Sequence, residues 1–220
     1  MLLTITTTQR PATDLAALLR EDPDRVRLVG FPFGSGLVCF SQADEARCTA
    51  AVMVHSEQRS PALLALALAD VFGDALAEAR AESGHRGMPL PIEIDVPVLP
   101  CAAEPERVRR LFEPLGYHVA VDLVPTDPRD PRHATATVAD DGAAAPDDDV
   151  REVAVRLTGL VRVPELLAHL CVLLPALDDK VACGTVEPLL DHGDRWLVNH
   201  PERDAVLTRF GTRARAREGV

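Results

Sequence analysis

The sequence predicts an α+β protein, mixed sheets with packed helices, whose second half is ordered strand, helix, strand, strand, helix. Three observations predict it. Short β-branched or alternating runs are interleaved with apolar stripes at helical spacing. Prolines and glycines punctuate the joins. Hydrophobic residues make up 47% of the 220-residue chain, enough for a real core. Only 4% are aromatic, so that core is aliphatic, and Trp196 and Tyr117, each the single residue of its type, stand out.

The run Leu2 to Thr8 alternates with Leu3 and Ile5 on one face and reads as a strand, ended by Pro11. Leu15, Leu18 and Leu19 then recur at helical spacing until Asp22-Pro23-Asp24 breaks the helix. Val26 to Phe31 and Leu37 to Phe40 flank Phe33-Gly34-Ser35-Gly36, a hairpin signal in which the glycines are read as the turn. Ala50 to His55 is another short strand. Ser60-Pro61 sets an N-cap before a proline at the first helical position, and the stripe Leu64, Leu68, Val71, Phe72 and Leu76 predicts the longest helix, over 61–82.

Gly84 and Gly87 end that helix, and Met88-Pro89-Leu90-Pro91 divides an N-terminal α+β subdomain, 1–88, from a C-terminal one, 89–220. In the second, a strand over Ile92 to Leu99 leads to a helix from Pro105 carrying Val108, Leu111, Phe112 and Leu115. Pro114 and Gly116 stop it before a strand over Tyr117 to Val124. Residues 125–149, rich in Pro, Asp and Ala, read as a flexible acidic loop. Val153 to Val161 is the next strand, and Pro164 opens a helix through Leu166, Leu167, Leu170 and Leu174. A helical tail follows in short pieces, Val186 to Leu190, Arg195 to Asn199 and Glu202 to Phe210, and the basic stretch from Arg209 to Val220 reads as solvated. The wide stripes of 61–82 and 164–174 should pack the two halves together.

The formal charge is −11, with 34 acidic against 23 basic residues. Such a balance repels phosphate backbones and favours a basic protein partner over broad nucleic-acid binding. Five cysteines, with no C-x-x-C pair, point to buried thiols and not to disulfides or a zinc ribbon. The start Met1-Leu2-Leu3-Thr4 lacks the pattern of a signal peptide, and the longest apolar stretch, Ala62 to Ala69, is far too short to span a membrane, so a cytoplasmic location is expected.

Catalytic motifs are hard to find. Gly34-Ser35-Gly36 matches neither a phosphate-cradling loop nor a nucleophile elbow, and no dinucleotide-type glycine pattern follows a strand. His192 and His200 lack ligand spacing, and Asp147 to Asp149 lack the calcium-loop pattern. No catalytic residue, metal ligand or cofactor is expected. Asp178-Asp179-Lys180, after an apolar helix, is a polar loop or a partner contact; Trp196 is a core anchor or a partner hot spot. These four are the candidate partner-binding residues.

Three groups of residues carry a resemblance to one family. They are Leu2 to Thr8 with Pro11-Ala12-Thr13-Asp14-Leu15; Pro97-Val98-Leu99-Pro100-Cys101 with Arg110-Leu111-Phe112-Glu113-Pro114-Leu115-Gly116-Tyr117; and His169 through Asp179 with Trp196-Leu197 and His200-Pro201-Glu202-Arg203. In order from Met1 to about Arg203, they resemble the non-catalytic, ligase-activating N-terminal domain of bacterial 3′-terminal RNA ribose 2′-O-methyltransferase. The resemblance implies a docking module that activates the RNA ligase of a polynucleotide kinase, phosphatase and ligase protein, meeting RNA only through that complex. The alternatives it leaves are part of a methyltransferase whose catalytic domain lies outside this chain, or a diverged paralogue that only binds a partner. The chain departs from the family at Ser56 to Pro61, where an aromatic-containing insert is expected, and at Val181-Ala182-Cys183, where the family has His-Tyr-Trp.

Overall fold

The computed structural model describes residues 1–80, 88–101, 105–124, 151–178 and 180–211. Alternation dictates the strands. Leu3 and Ile5 are fully buried on one face of β1 (Leu2–Thr7), and the same period buries Val52 and Val54 in β4 (Cys48–His55) and Ile92, Ile94 and Val96 in β5 (Leu90–Cys101). With β2 (Arg27–Phe31), β3 (Gly34–Ala43), β6 (His118–Leu123) and β7 (Arg151–Val161), these form one antiparallel sheet in the order β2-β3-β4-β1-β5-β7-β6. The α+β expectation is met, and the second half keeps its strand, helix, strand, strand, helix order.

The sheet runs across the division expected at Met88, because β1 pairs with β4 on one side and with β5 on the other. The hairpin turn is Pro32-Phe33, not the glycine triplet, which lies at the start of β3. Those glycines answer to close approach: a Cβ on Gly34, at φ +153°, would sit 2.0 Å from the His55 carbonyl oxygen, and one on Gly36 would sit 2.6 Å from the Phe31 ring.

The helices are α1 (Asp14–Leu19), α2 (Pro61–Val71), α3 (Gly73–Arg80), α4 (Pro105–Phe112), α5 (Val163–Leu173), α6 (Cys183–Val186) and α7 (Arg203–Arg209), with 3-10 turns at Glu113–Leu115, Leu174–Leu177, Glu187–Gly193 and Leu197–Asn199. The single helix expected from Pro61 is broken at Phe72, whose φ of −107° and ψ of 26° leave the helical region; Gly73, a weak helix former, restarts it. Through the break the apolar stripe continues, so Phe72 and Leu76 stay buried while α2 and α3 each pack on α5.

Every residue of α5 except Glu165 is buried, the signature of a helix wrapped on all sides, and it sits at the centre of the helical layer, touching α1, α2 and α3. Its packing on α2 and α3 is the contact expected of the two apolar stripes. Residues 125–149, the tail 212–220 and Asp179 lie outside the described residues. Among the described residues no helix is long and apolar enough to cross a membrane.

Candidate partner-binding site

Of the four residues singled out by sequence, three are described, and all three lie in the helical layer. Asp178 directly follows the 3-10 turn after α5 and is 6% exposed, turned into the protein. One carboxylate oxygen accepts the Lys180 N–H at 3.1 Å, and the other is buried without a hydrogen-bond partner. Burial raises the Asp178 carboxyl above the ordinary aspartate range, opposed by the Ser60 hydroxyl, the Lys180 N–H, and the charges of Arg209 and Lys180. Ser60 is the N-cap of α2 and accepts the Ala62 N–H at 3.1 Å. Lys180 is exposed.

The loop is held by a residue read from sequence as the start of a solvated tail. Arg209, at the end of α7, donates through Nε to the carbonyls of Pro175 at 2.9 Å and Asp178 at 2.6 Å, and through Nη2 to Val181 at 2.6 Å. Its Nη1 reaches the Cys183 sulfur at 3.7 Å. A guanidinium fork suits this task because several donors are fixed in one plane.

Trp196 is half-buried and belongs to a closed circuit of rings. Phe112 meets Tyr117 edge to face at 5.9 Å, Tyr117 meets His169 at 5.8 Å, His169 meets Trp196 at 4.7 Å, and Trp196 meets His200 at 5.9 Å. His200 closes the circuit on α4. Its Nδ1 accepts the Glu202 N–H at 3.1 Å, which leaves the proton on Nε2 to be donated to the Leu111 carbonyl at 2.9 Å. Tyr117 Oη and His169 Nδ1 share a bond of 2.9 Å, and the Trp196 indole N–H donates to the His192 carbonyl at 3.1 Å.

Burial, with a smaller contribution from His200, lowers the His169 pKa to about 4, so the imidazole is neutral at physiological pH. Burial, assisted by Glu165, raises that of Tyr117. Only Trp196 of this circuit was singled out as a candidate. Trp196 and Tyr117 are both visible in composition, but Tyr117 and His169 are 52 residues apart and become neighbours only in the fold. Among the described residues no group of three or more His, Cys, Asp or Glu side chains could hold a metal ion.

The helical layer thus holds Tyr117, His169, Trp196 and His200 in place through hydrogen bonds to one another or to backbone carbonyls. The chain belongs to the family described as the RNA repair, ligase-Pnkp-associating, region of Hen1, which it matches over residues 1–62 and 56–218. It is also similar in fold to a chain in the structure of the Pnkp1/Rnl/Hen1 RNA repair complex, with a TM-score of 0.59 and 15% identity over 96% of this chain and 50% of that one. A chain of a second structure, of the Pnkp1/Rnl/Hen1 complex, gives 0.53 and 14% over 87% and 47%. At this identity the two likenesses speak for the fold, and the chain spans about half the length of each. No curated protein matches the sequence.

Proposed function

We propose that this chain is a non-catalytic docking module that binds the RNA ligase of a bacterial RNA repair complex and shifts it toward its active state. The observation that carries this reading is the match, along nearly the whole chain, to a family described by its association with ligase and Pnkp. The net charge of −11 suits a partner that must present basic surface to polyphosphate and RNA. Methyl transfer would then belong to a separate catalytic domain, consistent with matched chains about twice as long, and the module would work in the cytoplasm.

Activation by such a module requires only tighter binding to the competent ligase conformation than to the idle one. A preference of about 3 kcal/mol moves that equilibrium more than a hundredfold. Within the helical layer the candidate contacts are exposed Lys180 and half-buried Trp196, with Asp179 beside Lys180 in sequence, while Asp178 holds the loop from inside. The test is ligase adenylation with and without the chain. Faster adenylate formation supports the reading, binding without acceleration reduces it to docking, and absence of binding refutes it.

A further inference from the structure

The helices with close sheet contacts pack on the face that carries Leu3, Ile5, Val52, Ile94 and Val155; the opposite face is uncovered among the described residues. Strand register decides what stands there. Leu28 of β2 is opposite Leu37 of β3, Leu37 is opposite Met53 of β4, and Met53 is opposite Leu2 of β1. Cross-strand partners share a face, so four apolar side chains form one row across four strands. Leu28 is 80% exposed and Met53 45%, although alternation ordinarily puts polar residues on an open antiparallel face. The row lines a groove of about 740 Å³ that continues to Pro97 and Val98 of β5.

Beyond the groove the open face turns acidic. Arg156 of β7 lies 3.2 Å from Glu93 and 3.5 Å from Asp95, both on β5, and Asp122 of β6 is exposed. Arg59, at the rim of the groove, is paired with Glu152. Four carboxylates, Glu93, Asp95, Asp122 and Glu152, thus stand against the two guanidiniums beside the apolar row.

We propose that this open sheet face, from the Leu28-Leu37-Met53-Leu2 row to the Glu93-Asp95 pair, is the main surface on which the ligase docks, an assignment that rests on the function proposed above. Two observations favour that occupant. A protein that handles polyphosphate and RNA presents basic surface, which the acidic part of the face complements. A contiguous apolar row bordered by charge is also the usual form of a protein interface: an apolar centre within a polar rim. Among the described residues the helical layer offers no comparable row, since its central helix is wrapped by its neighbours.

Two native thiols allow a test without mutation. Cys39 is half-buried on the open face, in register with Ala51 and through it with Thr4, whereas Cys183 is exposed in the helical layer near Lys180. Iodoacetamide labelling is measured with and without ligase, and ligase affinity is compared for wild type, a Leu28→Asp, Met53→Asp double variant, and Lys180→Glu, with melting temperatures confirming that each is folded. Slower labelling of Cys39, and affinity about tenfold or more weaker in the double variant against a smaller loss in Lys180→Glu, is the expected result. If the wild type binds but Cys183 is the protected thiol, or the folded double variant binds as well as wild type, the face is misassigned while the docking function stands. If the chain instead forms a dimer that the double variant dissolves without change in ligase affinity, the face belongs to a second copy. Failure of the wild type to bind refutes the function and this surface together.

Discussion

Tyr117 Oη lies 2.9 Å from His169 Nδ1, a buried bond that fastens the segment between α4 and β6 to the central helix α5. The Tyr117 ring also lies over Gly159 of β7, where a Cβ would stand 3.1 Å from it. The bond keeps a neutral imidazole inside the protein, and that has consequences for pH.

The folded pKa of His169, about 4, is below its ordinary value of 6.5. The unfolded chain therefore takes up a proton first as pH falls. Stability from this group is intact above 6.5, declines between 6.5 and about 4 by at most about 1.4 kcal/mol per pH unit, and is fully lost below. His169→Asn keeps an acceptor near the Nδ1 position and cannot titrate in this range. Its melting temperature should fall less steeply than that of wild type between pH 6.5 and 4; parallel slopes would show that His169 does not govern this window.

Asp178 has the opposite sign. Its folded pKa is raised above 3.8, so the ionised carboxylate costs stability at neutral pH, and the cost is relieved as pH falls through the folded value. Asp178→Asn should be at least as stable as wild type in urea at pH 7, with that margin closing toward pH 3.8. A variant much weaker at pH 7 would mean that the carboxylate is held by its neighbours more strongly than burial opposes it.

Removing the Arg209 fork strands the carbonyls of Pro175, Asp178 and Val181. Arg209→Ala should cost roughly 2 kcal/mol and open the 178–183 loop to limited proteolysis. Arg209→Lys should recover only part of this, because a single ammonium cannot serve three carbonyls in fixed planar geometry. Full rescue by lysine would mean that charge, not the fork, holds the loop.

Two glycines in neighbouring strands should respond in opposite directions. Gly34→Ala forces a Cβ against the His55 carbonyl at a positive φ and should cost about 2 kcal/mol or more. A Cβ on Gly30 meets nothing within 4 Å, so Gly30→Ala should be neutral or stabilising by about 0.5 kcal/mol. Equal effects in thermal melts would contradict the close approach of β3 to β4.

Much of the fold was legible because its signals are local. The alternation of Leu3 and Ile5, the Ser60-Pro61 cap and the Pro114 to Gly116 stop each act within a few residues, and each appears where expected. The break at Phe72 was hidden because the apolar stripe runs on through it. The hairpin turn was misplaced by two residues because glycine signals a turn and a tight crossing alike. The site was less legible: Asp178 and Arg209 looked like surface charges, and their roles depend on carbonyls 28 to 34 residues away or on burial that only the folded loop creates. Leu28 and Leu37 were read as ordinary strand positions, and only register joins them with Met53 and Leu2 into one row.

The placement of β1 has a consequence for how the chain is made. First in sequence among the strands of this chain, it occupies the middle of the sheet, yet both of its neighbours are encoded much later: β4 begins at Cys48 and β5 at Leu90. Until β5 has been made, Leu3 and Ile5 have no completed surface to bury against, and the edge of β1 that β5 covers remains unsatisfied. The distant pairings of β1 predict slow, late completion of the sheet. A nascent chain halted before β5 should be protease-sensitive throughout β1 and β4, and prone to aggregate through the edge that β5 normally covers.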